Sequence, residues 1–421
     1  MKINSKNFIE KNKYAIFIFL FMFAYNFVFV KGFAFPGVDR LTYHYYLVDY
    51  SLGFCTKLLP GAVFNAVSPS TEPEALNIYL GVIHTVFLLV VSVMLGKFIN
   101  AFENKDKLLA FVFVLFFITG PATFSIHIFR FGMLDTNWLY LAVALIAFMR
   151  NKVLRWFIPV LFVLALLIHV SSMVLFIPIF ALMVLMEAAR EKKDRKIYLT
   201  IFSISVLLSG VLFVYMLIYE DDNVALTYEE YMKLMVERHK LDESIFTEFY
   251  DYALYKISYV DGSSDMFSAV LVEGNGFIAN AVNAVWAQIY ETLRAYVFLG
   301  DYMLVGVNDF IVSAPITVLL YRYALKQMKK DSGSNKLQKF VWFCVIGLLP
   351  VMFIAALSGS PDIVRWFGHC FILLFAFVLY DIYRRKDENP VTFNVEINNR
   401  TTVGTIIYFA VYMCCILDPY C

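Results

Sequence analysis

The feature that most constrains this chain is a rhythm: apolar runs long enough to cross a bilayer recur along it, separated by short basic segments. As a helix, a chain needs about 17 to 25 predominantly apolar residues to cross about 30 Å of hydrocarbon. Such runs occupy Tyr14–Val30, Leu76–Ile99, Leu108–Phe124, Met133–Met149, Ile197–Tyr219, Met303–Tyr321, Phe340–Leu357, Trp366–Tyr383 and Thr405–Leu417. Hydrophobic residues make up 61% of the 421, well above the apolar share of soluble domains, so the expected fold is an all-α, polytopic integral membrane protein. The net charge of +1 provides no overall basic field, which argues against nucleic acid as a partner and leaves the lipid bilayer as the expected one.

Where the charges sit sets the topology. Lys and Arg collect in Lys2–Lys13, Lys97–Lys107, Arg150–Arg155, Arg190–Lys196, Arg322–Lys339 and Arg384–Arg400, which hold 25 of the 35 basic residues. The positive-inside rule assigns these segments to the cytoplasm, with the N-terminus inside. The first run lacks a small-residue cleavage site and reads as a retained helix. Trp156–Met186 is too long for one untilted span and too short for two. Because basic segments flank it on both sides, the chain must enter and return, which predicts a hairpin of two short helices turning at His169-Val170-Ser171-Ser172. About eleven helical passes result. Three regions follow: 1–219, a membrane bundle with the first outer loop and the hairpin; 220–302, extracytoplasmic; and 303–421, further membrane helices. Residues 220–302 carry 15 acidic residues against five basic ones, and their amphipathic stretches read either as helices lying along the outer interface as a lid or as an acidic solvated loop packed on the bundle top.

Ionisable residues at membrane depth are costly unless they face a cavity or one another, so those at the outer helix ends are functional candidates. Asp362, Arg365 and His369 lie at spacings of three, four and seven, on one stripe at the head of a late helix. Arg130 has two readings: bidentate contact with a phosphate, or an ion pair with Asp135. Arg365 likewise either binds phosphate or pairs with Asp362. His169 is placed either to exchange or donate a proton or to pack as a satisfied core histidine. In the first outer loop, Asp39, Asp49 and Lys57 lie among Tyr43, His44, Tyr45, Tyr46 and Tyr50. A carboxylate there is a candidate base for an acceptor hydroxyl, and the aromatic faces suit sugar rings or simply form an interfacial belt. His127 and His239 read as incidental. The six cysteines, Cys55, Cys344, Cys370, Cys414, Cys415 and Cys421, show no metal-binding spacing. No cofactor motif is present; a divalent cation is compatible with the chemistry below, but no ligand cluster demands one.

The stretch RFGMLDTNWLYLAVALIAFMRNKVLRWFIPVLFVLALLIHVSSMVLFIPIF, Arg130–Phe180, resembles the core of EpsG-like and Wzy-type bacterial polysaccharide polymerases. The shared pattern is an arginine opening a helix, a short basic turn, and an apolar arm ending in His-x-Ser. Phe131 stands where that pattern has glutamine, and DYSLGFCTKLLPGAVF is similar instead to a DYxxGFxxR segment of other bacterial membrane proteins, with Lys57 in the arginine position. The resemblance implies a GT-C-like membrane glycosyltransferase that takes polyprenyl-linked sugars on the outer face and extends a growing surface polysaccharide. It assigns Arg130 to the helix-opening arginine and His169 to the turn histidine, and Asp362 and Arg365 to the charged outer end of a late helix. The alternatives are a flippase or transporter of a lipid-linked oligosaccharide, using the same cations as a passage lining, and a membrane acyltransferase. No Walker loop, GxGxxG, HExxH or GxSxG occurs, so ATP hydrolysis, Rossmann-type binding and familiar protease chemistry lack support.

Overall fold

The computed structural model describes residues 5–24, 40–52, 57–68, 70–104, 106–119, 132–169, 172–219, 228–240, 317–329, 336–359, 363–385, 404 and 408. Among them the regular elements are all helices, and the fold is all-α. The helices are α1 (Ser5–Ala24), α2 (Arg40–Leu47), α3 (Leu59–Val67), α4 (Pro73–Ile99), α5 (Lys107–Thr119), α6 (Leu134–Met149), α7 (Ile158–Ile168), α8 (Ile177–Arg190), α9 (Arg195–Tyr219), α10 (Tyr228–His239), α11 (317–329), α12 (Lys336–Gly359) and α13 (Ile363–Arg385). Proline sits in the first turn of α3, α4, α7 and α8, where its fixed φ suits the helix and its missing N–H is not needed.

Two of these helices, at Pro73–Ile99 and Arg195–Met216, are long and apolar enough to cross a membrane by length and composition. Their outward faces are apolar: Val82, Val86, Leu207 and Val211 are each more than half exposed, while His84, Ser92, Ser205 and Ser209 point inward and are buried. That is the reverse of a surface helix in water, which turns its polar face out.

Packing is tightest where small residues let backbones approach. A Cβ on Gly96 of α4 would lie 2.7 Å from the Ala15 Cβ of α1 and 2.9 Å from the Ala15 nitrogen. Further in, the Phe117 and Phe375 rings of α5 and α13 stack at 3.6 Å. Trp138 of α6 is fully buried and donates its indole N–H to the Ala165 carbonyl of α7 at 3.1 Å, so the indole finds a partner without leaving the core.

The two short helices α7 and α8 enter and return. His169 breaks the first with an extended backbone (φ −166°, ψ 130°), one turn of helix follows at Ser172–Leu175, and α8 runs back. At the far end the Arg155 guanidinium donates to Asp194 at 2.7 Å, which brings the start of α7 beside the end of α8.

The bundle therefore has two distinct ends. One carries the basic turns: Asn100 after α4 donates to the Lys11 carbonyl of α1, Tyr198 of α9 donates to the Met149 carbonyl of α6, and Arg150 lies over the Tyr383 ring of α13. The other gathers α2, α3, the starts of α4 and α6, the end of α7, and α10 around a second apolar cluster. These two are called the basic end and the loop end below. Several element bounds differ from the sequence reading. The first helix begins at Ser5, nine residues before Tyr14, because its polar first turns extend past the apolar run; α11 continues beyond Tyr321 to residue 329 for the same reason.

Candidate functional site

The loop end is built from a short wedge, α2 and α3, pressed into the mouth of the hairpin. In α2 the sequence RLTYHYYL places Tyr43, His44, Tyr46 and Leu47 inward. The Tyr46 hydroxyl donates to the Gly132 carbonyl at 2.9 Å and accepts from Asn137 at 3.3 Å, which ties the wedge to the first turn of α6. Gly132 has φ 83°, a left-handed conformation that favours glycine, two residues before α6 begins. At Gly61 a Cβ would lie 1.8 Å from the Val48 carbonyl oxygen, so α3 crosses the end of α2 at backbone contact.

Lys57 also adopts a positive φ, 75°, and its backbone N–H donates to the Leu167 carbonyl at 3.0 Å. That bond pins the chain at Lys57 two residues before His169. The His169 ring is half-buried and meets Trp138 edge-to-face at 5.8 Å, while its carbonyl accepts from the Ser172 N–H at 3.0 Å. A histidine, a lysine backbone and the entry to α6 thus share one small region.

Asp49 is buried beside them, in a setting of its own. Its carboxylate accepts from the Ser51 N–H at 3.0 Å, the Ser51 hydroxyl at 2.6 Å and the Asn65 amide at 3.0 Å, and it forms an ion pair with Arg238 of α10. Burial alone raises its pKa, but the hydrogen bonds from Arg238, Ser51 and Asn65 outweigh burial and hold the carboxyl well below the usual carboxylate range. A carboxylate so stabilised is a weak proton acceptor, and in this geometry Asp49 ties α2 and α3 to Arg238 of α10.

What Asp49 anchors is α10. Met232, Met235 and Val236 of that helix pack on Tyr43, Tyr46, Leu47, Leu76 and Leu80, so the described part of the acidic 220–302 segment lies over the wedge. His239, incidental by sequence, is buried next to Arg238; burial first, then the Arg238 charge, lowers its pKa to about 4, against the opposing influence of the Leu47 backbone and Asp49. Arg238, His239, Ser51 and Asn65 are the members of this site that sequence reasoning passes over. The one available signal is VERHK, a cationic helix end inside an otherwise acidic segment.

The remaining candidates are placed by backbone or not at all. Asp135 lies in the first turn of α6, and Arg365 and His369 in the first two turns of α13. Phe371 and Phe375 stack on Phe117 near the end of α5, so the head of α13 lies toward the end of α5 and away from the basic end, where Arg384 and Arg385 sit. Asp39, Arg130 and Asp362 lie outside the described residues, as does His127.

A second charged cluster holds the basic end together. Arg384 grips Glu187 at 3.0 and 2.9 Å and Glu191 at 2.6 Å, while Asp381 pairs with Arg190, with Arg385 at 2.8 Å and with the Tyr323 hydroxyl at 2.7 Å. Glu187 and Asp381 are fully buried, and their satisfied hydrogen bonds mark a cross-link between α8, α11 and α13. Among the described residues no group of three or more His, Cys, Asp or Glu side chains is placed to hold a metal ion. No family model, no curated protein and no solved structure matches this chain.

Proposed function

We propose that this chain is a polytopic protein of the bacterial cytoplasmic membrane that transfers sugars from a polyprenyl-(pyro)phosphate donor, on the extracytoplasmic face, to a growing surface polysaccharide. The observation that carries the reading is the convergence of the wedge, the hairpin break at His169 and the entry to α6 at the loop end, opposite the basic turns. The outward apolar faces of α4 and α9 support a lipid surround, since each such residue would otherwise be left in water.

The chemistry asks for two things. Negative charge grows on the departing lipid pyrophosphate, and preorganised cations stabilise it best in a site that excludes water. Arg130 and Arg365, with Lys57 beside the hairpin break, take that role, and Asp135, Asp362 and His369 orient them. The acceptor hydroxyl must lose a proton; with Asp49 held as an ion-pair anchor, Asp39 is the base and His169 polarises the phosphate or shuttles the proton. The test is reconstitution of the purified chain with polyprenyl-pyrophosphate oligosaccharides, followed by mass analysis of the lipid-linked products. Lengthened glycans are expected from the wild type, none from Arg130→Ala or Arg365→Ala, and wild-type levels from Lys336→Ala, with membrane insertion equal in all. Substrate that crosses the bilayer unchanged would instead identify a flippase.

A further inference from the structure

We propose that a cavity at the basic end, between α1 and the turn joining α4 to α5, is a binding site for the phosphate of an anionic phospholipid. The inference rests on the membrane reading above and concerns a region remote from the loop end. The cavity has a volume of about 560 Å³, within the range of small-ligand sites. It is lined by the ammonium-bearing side chains of Lys11, Lys13 and Lys107 against a single acid, Glu10, an excess of two positive charges. Among the described residues none of the three lysines has an ion-pair partner: Lys107 donates to the Asn104 amide oxygen at 2.8 Å, and Lys13 lies over the Tyr14 ring at 5.2 Å. The neutral residues Tyr14, Asn100 and Asn104 complete the lining.

The fold positions these groups. The close approach of Gly96 to Ala15 clamps α1 on α4, and the Asn100 amide donates to the Lys11 carbonyl at 3.3 Å, so lysines from two distant parts of the chain meet on a rigid frame. Immediately along α1 and α4, toward the loop end, the exposed side chains are Ile16, Phe17, Leu20, Leu89, Val90 and Val93. A cationic cavity on two helices whose next turns expose apolar side chains matches an amphiphile, with the phosphate among the lysines and the acyl chains along the two helices. A freely diffusing anion would have no use for that apolar margin. Basic pockets at the cytoplasmic boundary of membrane helices recognise anionic headgroups by this combination.

The experiment uses the full chain and the triple variant K11Q/K13Q/K107Q, reconstituted in phosphatidylcholine vesicles containing phosphatidylglycerol, released in mild detergent and examined by native mass spectrometry for retained lipid. The wild type is expected to retain phosphatidylglycerol over phosphatidylcholine. At roughly fivefold per lysine, the triple variant should lose that preference on the order of a hundredfold, and Lys336→Gln, outside the cavity, should keep it. Equal preference in wild type and triple variant overturns the proposal. Titration with inorganic phosphate separates the two sources of the ligand: lysine-dependent phosphate binding without retained lipid overturns the lipid assignment and makes the ligand a free phosphate. Carbonate extraction of the vesicles distinguishes failure of the membrane reading, because a chain stripped from the vesicles that still binds phosphate through these lysines loses that reading but keeps the anion site.

Discussion

Asp49 keeps its charge because donors from three residues surround it, and that makes its partner Arg238 the residue on which the docking of α10 depends. Arg238→Ala should loosen α10 by about 1–2 kcal/mol, less than for a fully buried pair because the Arg238 side chain is 32% exposed. Faster proteolytic cleavage around residues 228–240, with the rest of the bundle intact, is the readout. The pH dependence has a definite sign. His239 binds its proton less readily folded than unfolded, so between its ordinary pKa of 6.5 and about 4 the unfolded segment holds more protons and docking weakens as pH falls. Asp49, whose pKa is lowered, adds a further loss only below its ordinary value of 3.8. His239→Gln should flatten the upper of these two windows in a series of thermal melts. Lys57 offers a cleaner separation of roles. Glycine accepts its φ of 75° and preserves the N–H bond to Leu167, so Lys57→Gly should leave melting unchanged or slightly raised while reducing transfer at least tenfold if the ammonium contacts the donor phosphate.

At the scale of elements, the crossing of α2 by α3 is the contact with least tolerance. Gly61→Ala sets a methyl against the backbone oxygens of Val48 and Tyr45, which cannot swing aside as a side chain would, and should cost about 3 kcal/mol, seen as a lowered melting temperature and loss of the tie between Tyr46 and Gly132. The hairpin was legible beforehand because the basic residues Arg155 and Arg190 bracket an apolar stretch of awkward length, and only a return path puts both at one end. The long helices were legible from their apolar runs, with ends misplaced where polar turns continue the helix. Nothing local announces the Asp49–Arg238 contact, which joins residues 189 apart in the chain. A carboxylate in a tyrosine-rich loop reads as a candidate base or as an ordinary loop charge, and partners so far apart leave no periodic trace.

For the molecule as a whole, stability at the basic end rests on the satisfied cluster around Glu187 and Asp381. Asp381→Asn leaves Arg190 and Arg385 without their counter-charge and should destabilise the chain by about 3–5 kcal/mol, whereas the double replacement Glu187→Met with Arg384→Met should cost much less than the sum of the two single changes. Thermal melts of the four variants test the cycle. The hairpin has a different kind of consequence. Its first arm, α7, has 11 residues and rises about 16 Å, roughly half of a 30 Å slab, so in a bilayer the break at His169 lies part-way down the transmembrane voltage drop. A unit charge moved to that depth from outside does electrical work of about 1 kcal/mol for every 100 mV. A reaction centred there would therefore run at a rate tuned by the energised state of the cell, so that the same protein would work differently in a polarised membrane and in a depolarised one.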